Sequence, residues 1–375
     1  MKVAYVGTYL PQQCGIATYT NYLISALRKV KGNLKVRIVA ENKATPYQDN
    51  FVEVMPVWNR KSDYSKPIIK YTKGFDIIHI QHEYGIYQCD KRLINTLDGL
   101  DKASKKIATI HCLKPQHFSE INNLEQYTKK LSDRLDLLVV HLPSQKAILQ
   151  RLGVASNKIQ LIAHGTEIIN IDQQTARQKL QLPKTGKILL MFGFIKVHKC
   201  ADVVLDALKE IIRKFPDTYF FLAGGLAPNP NDTDTKYLKL LKNKIVRLDL
   251  RDKVIFPNHF FPNGDVPYII SAADVVLFPY YEQDFSASGS LHLSIGAKKP
   301  VVVTRIPKFE ELKNISDELL ILPNNPTLIT NLVLRLFEDD NFLNYIIRRT
   351  DIYRRKTVWE KIAKQHLNLY HTLIS

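Results

Sequence analysis

Short apolar runs rich in β-branched residues recur along this chain with helix-like stretches between them, and that alternation leaves few folds open. The runs are Lys2 to Thr8, Val36 to Ala40, Phe75 to Ile80, Lys106 to Ile110, Leu137 to Val140 and Ile159 to Ala163. Continuous apolar character marks strands covered on both faces, as in a parallel sheet flanked by helices. From Glu167 to Lys187 the sequence turns polar, with Pro183 and Gly186, and then the pattern restarts. Strands are expected at Lys187 to Phe192, Tyr219 to Ala223, Val254 to Pro257, Val275 to Pro279 and Pro300 to Thr304, with a helix over Val203 to Phe215. The chain is therefore expected to be α/β with two domains, which suits 375 residues, more than one core usually covers.

Polar residues fall where the first-half strands end: His79, His82 and Glu83, then His111, Ser144, and His164 with Gly165. In open α/β sheets ligands bind at the carboxyl ends of strands. The first strand empties into YLPQQCGIA before a helix to about Lys29. Gly15 is the only glycine there, so the GxGxxG dinucleotide fingerprint is absent. HIQHEYG holds zinc-type residues without HExxH spacing or a third ligand nearby, so no metal site is expected.

The stretch FPYYEQDFSASGSLHLSIGAKKPVVVT reads as strand, loop, helix, strand, with Glu282 and Asp284 in the loop. If Ser288 and Gly289 open the helix, their unpaired N–H groups and the positive end of the dipole offer a place for a phosphate. The plainer alternative is that Ser288 caps the helix and Gly289 permits close packing.

The formal charge of +17 attracts anionic surfaces, with basic clusters at Arg60-Lys61, Lys102 to Lys106 and Lys129-Lys130. Aromatic residues do not interleave with these clusters, which ranks a membrane surface above nucleic acid as the partner. No apolar run approaches the ~20 residues that span a bilayer. The start of the chain does not read as a signal peptide. Cys14, Cys89, Cys112 and Cys200 are far apart and read as reduced thiols. A cytoplasmic protein, peripheral at the inner face of the membrane, is the expectation.

Taken together, KVAYVGTYLPQQCGIATYT, the loop GFIKVHKCAD, the AGG strand end and Ser-Gly followed by KKPVVVT resemble the retaining glycosyltransferases of family 4 over nearly the whole chain. The resemblance implies the GT-B fold, with two Rossmann-like domains facing a cleft. The acceptor domain would span 1–168 and the donor domain 169–355, with a helix over 356–375 crossing back to the first. It implies a metal-independent, retaining transfer of a hexose from a nucleotide diphosphate sugar to a glycan, lipid-linked or small-molecule acceptor, with no cofactor. By position, Gly15 and Ile16 match the family's Gly-rich first loop, and His111 matches its sugar-contacting histidine. Gly193 opens the loop in which Lys199 matches the diphosphate-binding lysine, and His259, Ser286, Ser288, Gly289 and Ser290 fall among donor contacts. His82, Glu83 and Tyr84 fall on the acceptor side.

The sequence departs from the family at four places. The arginine beside Gly193 is Phe194 and the glycine after Lys199 is Cys200, which leaves Lys196 as the expected replacement charge. Phe285 and Leu293 occupy the positions of the paired glutamates, so Asp284 and Glu282 become the carboxylate candidates beside His111 and Lys199. The alternative is a non-catalytic or phosphorylase-like relative that acts as a basic sugar- or nucleotide-binding protein.

Overall fold

Strand β1 (Lys2–Gly7) is buried along almost its whole length, with Val3 and Tyr5 in one core and Val6 in another. Its unbroken apolar run has that cause. The computed structural model describes residues 1–113, 124–227, 230–259, 261–282 and 285–375. These fall into two compact units: 1–165 with 285–289 and 357–375, and 166–282 with 290–356.

Among the described residues the first unit holds an eight-stranded sheet in the order β3-β4-β2-β1-β5-β6-β7-β8. The strands are β2 (Lys35–Glu41), β3 (Tyr47–Gln48), β4 (Val52–Trp58), β5 (Ile77–His82), β6 (Lys105–Ile110), β7 (Leu137–Val140) and β8 (Ile159–Leu161). Only β3 and β4 pair antiparallel. Strand β4 lies outside the sequence expectation because Glu53 and Pro56 break its apolar run, yet it pairs with β2 from Val52 onward. Succession leads outward from β1 to β2 on one side and to β5 on the other. A crevice therefore opens at the carboxyl ends of β1 and β5.

The last helix, Trp359–Ile374, belongs to this unit and packs against Gly15–Val30. Its buried positions, Trp359, Ile362, Ala363, His366, Leu367 and Tyr370, recur at helical spacing. The Tyr370 hydroxyl meets that of Tyr5 at 2.6 Å and Nδ1 of His79 at 2.6 Å, while His79 Nε2 meets the Thr109 hydroxyl at 2.8 Å. One helix is thus tied to β1, β5 and β6. Gly165 lies so close to the Trp359 indole that a side chain there would overlap it.

The second unit holds a six-stranded, all-parallel sheet, β11-β10-β9-β12-β13-β14. Its strands are β9 (Lys187–Phe192), β10 (Thr218–Ala223), β11 (Val254–Ile255), β12 (Val275–Phe278), β13 (Val301–Thr304) and β14 (Leu320–Ile321). Its point of reversal lies between β9 and β12. The helix Gly289–Gly296 follows β12 as expected from the sequence. Within this unit His292 bonds the Thr166 hydroxyl through Nδ1 at 2.7 Å and Glu311 through Nε2 at 2.9 Å. Tyr353 donates to the same carboxylate oxygen at 2.8 Å.

Residues 285–289 count with the first unit for a visible reason. The amide of Leu113 donates to the Phe285 carbonyl at 2.9 Å, and Gln145 Nε2 donates to it at 3.0 Å while also bonding the Ile110 carbonyl at 3.1 Å. Phe285 packs on the apolar core beneath.

Burial holds His79 and His111 well below the ordinary imidazole value and lowers His82 to about 3 and His366 to about 4. All four are neutral in the folded protein near pH 7. Because the unfolded chain takes up protons from about pH 6.5 downward and these four do not, stability falls as pH is lowered through that window. Urea unfolding at pH 7.5 and 5.5 is predicted to differ by on the order of 5 kcal/mol if all four stay neutral. Equal stability at the two values would mean that these rings are solvated.

Candidate active site

In the second unit the loop after β9 is laid against the end of β10. The Gly193 amide donates to the Ala223 carbonyl at 3.1 Å and the Ile195 amide to the Gly225 carbonyl at 2.9 Å. Gly224 makes this approach possible, since a Cβ there would overlap the Gly193 carbonyl. Gly193 itself takes φ +95°. The loop ends in a turn over Val197–Lys199 and then Cys200, at φ +55°, starts the helix Ala201–Lys214. The left-handed conformation that a glycine takes readily is thus kept with a cysteine, at a cost of about 1–2 kcal/mol.

This loop brings Lys199 to the reversal point between β9 and β12. Its ammonium lies 5.8 Å from the centre of the Tyr280 ring and has no carboxylate partner or side-chain hydrogen bond among the described residues. Burial lowers its pKa to about 8, with the nearby charges of Lys308 and Lys196 adding to the effect. A poorly solvated ammonium that is still mostly charged near pH 7, at a strand-end crevice, is suited to an anion.

Lys196, the expected replacement for the missing arginine charge, is ion-paired in this structure. Its ammonium is held by Asp234, a buried carboxylate that also lies at the start of the helix Asp232–Arg247. Glu282 pairs instead with His198, Nδ1 to Oε2 at 3.2 Å, and the Tyr281 amide donates to the His198 carbonyl at 3.1 Å. His198 escaped the sequence reading, although it directly precedes Lys199. Asp284 lies outside the described residues. His259 is exposed, its ring 4.4 Å from that of Phe261, and its backbone lies beside Gly225.

In the first unit His111 is buried, with Nε2 2.9 Å from Gln81 Oε1. The amide oxygen only accepts, so Nε2 carries the proton and Nδ1 is the acceptor. Four rings surround Tyr19: His111, His141, His164 and Trp359, with centres 4.7–5.2 Å away. The histidines at successive strand ends therefore serve largely as packing groups. Gly15 and Ile16 open the 16-residue helix Gly15–Val30, which has no acidic residue in its first turn and so keeps an unopposed positive end. Ser286 is half-buried and Ser288 buried, and Gly289 lies near His164. Ser290 continues the helix in the second unit.

The acceptor candidates need correction. His82 and Tyr84 are core residues, His82 stacked on Tyr87 at 5.8 Å and the Tyr84 hydroxyl 3.1 Å from that of Thr128. Among the three, only Glu83 keeps appreciable surface. Phe285 shows why the first family glutamate is dispensable to the fold here: the position is used for packing in the first unit. Several cations of the expected membrane-facing clusters are engaged as well. Arg60 pairs with buried Glu41 at 2.6 Å, Lys106 donates to the Leu97 carbonyl at 3.0 Å, and Lys129 pairs with Asp133. Among the described residues no group of three or more His, Cys, Asp or Glu is placed to hold a metal ion, and no helix is long and apolar enough to cross a membrane.

Residues 172–351 match the family model of the glycosyl transferases group 1. The chain is 24% identical over 281 residues to D-inositol 3-phosphate glycosyltransferase of Corynebacterium urealyticum, covering 71% of this chain and 64% of that one. It is 26% identical over 176 residues to mannosylfructose-phosphate synthase of Agrobacterium fabrum, 45% of this chain and 37% of that one. It therefore spans less than two thirds of the length of either relative. Among solved structures, Anabaena Alr3699/HepE in complex with UDP superposes with a TM-score of 0.75 at 16% identity, over 99% of this chain and all of that one. Sucrose-phosphate synthase of Thermosynechococcus elongatus gives 0.76 at 18%, over 100% and 99%. The fold is GT-B, as the resemblance implies, and the match to the glycosyl transferases group 1 lies largely within the second unit.

If Lys199 meets an anion, affinity should follow its protonation. For whichever of UDP, GDP and ADP binds best, affinity is predicted to be flat below pH 8 and to fall by up to tenfold per pH unit above it. Calorimetric titration between pH 7 and 9 checks this. A flat profile would place the anion elsewhere.

Proposed function

We propose that the protein is a metal-independent, retaining glycosyltransferase that takes a hexose from a nucleoside diphosphate sugar. The observation that carries this reading is the Lys199 ammonium, without a counter-charge among the described residues, at the reversal point of the second sheet. Uridine nucleotides are the first donors to try, because solved neighbours of the same fold hold UDP and UDP-glucose.

In the transfer, the bond from the anomeric carbon to the β-phosphate oxygen breaks and its electron pair stays on phosphate. The acceptor hydroxyl oxygen forms the new bond on the same face, and its proton passes to the departing phosphate oxygen. Lys199 would meet the charge that grows on the diphosphate. His111, neutral and held by Gln81, would accept a hydrogen bond from a sugar hydroxyl at Nδ1. Glu282, paired with His198, would orient the sugar from the donor side, alongside Asp284. His259, exposed beside Gly225, would stack on the base. The acceptor is a glycan, a lipid-linked sugar or a small molecule, reached through Glu83. The net charge of +17 supports reversible attachment to an anionic membrane, with the engaged cations named above left out.

Lys199→Ala is predicted to keep the fold and to lower turnover by about 10²-fold or more with the identified donor, as expected for loss of one preorganised charge. Donor consumption followed by chromatography measures this. Near-normal turnover in the variant would rule out Lys199 as the diphosphate contact.

A further inference from the structure

The helix Asp232–Arg247 is fastened to the second unit along one side. Leu241 is fully buried, and the buried Tyr237 donates its hydroxyl proton to Asp202 at 2.6 Å. Lys244, on the same side, pairs with Asp206 at 2.6 Å, and Asp234 in the first turn holds Lys196. The helix is thereby a firm element with its inward charges matched.

The opposite side is cationic and unmatched. Lys236, Lys239, Lys242 and Arg247 are exposed, and none of their side chains has an ion-pair or hydrogen-bond partner among the described residues. From Thr235 to Arg247 the sequence holds no carboxylate. Leu240 and Val246 stand among these cations, 47% and 51% exposed. With 3.6 residues per turn, the four cations and two aliphatic side chains fall within an arc of about 160°. The basic clusters of the first unit lack this combination. Arg60, Lys106 and Lys129 are engaged there, and none of the large exposed apolar residues lies in those clusters.

We propose that this face of the helix Asp232–Arg247 is the surface by which the protein adheres to an anionic membrane. The inference rests on the attachment reading above and moves the contact from the first unit to the second. Four cations alone would suit any polyanion. Aliphatic side chains left in water among them fit a lipid interface, where lysine and arginine stems lie along apolar surface, their heads meet lipid phosphates, and leucine and valine enter the acyl boundary. The one aromatic ring of the helix, Tyr237, is buried, so the face offers nothing on which a base could stack. Each cation contributes a modest, salt-screened attraction, which makes attachment by one helix face reversible.

The test is flotation of the full chain with vesicles of phosphatidylcholine alone and of phosphatidylcholine with phosphatidylglycerol, at low salt and at about 1 M salt, where screening acts within about 3 Å. Three variants accompany it, each checked by a melting curve. One combines Lys236→Glu, Lys239→Glu and Lys242→Glu. The second makes the same change of charge in the first unit, with Lys61→Glu, Lys102→Glu and Lys130→Glu, and the third combines Leu240→Ser and Val246→Ser. The wild-type chain is expected to float with the anionic vesicles only and to be released by salt. The helix charge variant should lose binding by about tenfold or more, the first-unit variant by no more than about threefold, and the serine pair should weaken it severalfold. Equal losses in the two charge variants, or no loss in the serine pair, overturn the assignment of this face and leave the attachment reading standing. A wild-type chain that floats with neither vesicle overturns the attachment reading and this inference with it, and its retention of a single-stranded DNA oligomer instead would identify nucleic acid as the partner.

Discussion

A half-buried positive charge without a counter-charge among the described residues is the constraint around which the second unit is arranged. Lys199 reaches its place because the loop from Gly193 lies flat on the end of β10, which Gly224 alone permits, and because Cys200 accepts a left-handed backbone to start the next helix. Tyr280 and Phe309 build an apolar wall beside it. Burial and neighbouring lysines both disfavour the ammonium, so the ligand-free protein carries a cost that an anion relieves.

The first unit solves a different problem. Its histidines at strand ends resemble a catalytic array in the sequence, yet three of them close around Tyr19 and a fourth is threaded between Tyr370 and Thr109. Burial keeps His79 and His111 neutral, and their neighbours fix all four rings as packing and hydrogen-bonding groups. His111 stands out because Gln81 sets its tautomer, which leaves a defined acceptor at Nδ1.

The alternation of strands and helices was legible because parallel strands buried on both faces need unbroken apolar runs, and the loops at their carboxyl ends followed from it. Strand β4 was not legible, since Glu53 and Pro56 interrupt its run and its place is set by pairing with β2. Lys196 and Lys199 look equivalent in GFIKVHKC, and only the fold shows that one meets Asp234 while the other does not. His82 and Tyr84 fall on the acceptor side in the sequence but are drawn into an aromatic core, a tertiary effect that local sequence does not carry. Phe285 is the reverse case: an apparent loss in the sequence becomes a packing contact in the structure.

The most direct test of this account is the ionisation of Lys199 itself, followed by nitrogen NMR of ammonium-labelled protein, with Lys199→Arg to assign the signal. Without ligand the account predicts a midpoint at about 8, and with a saturating nucleoside diphosphate a shift upward by one unit or more. A midpoint near the ordinary lysine value of 10.5 in the free protein, or one that the diphosphate leaves unmoved, would contradict it.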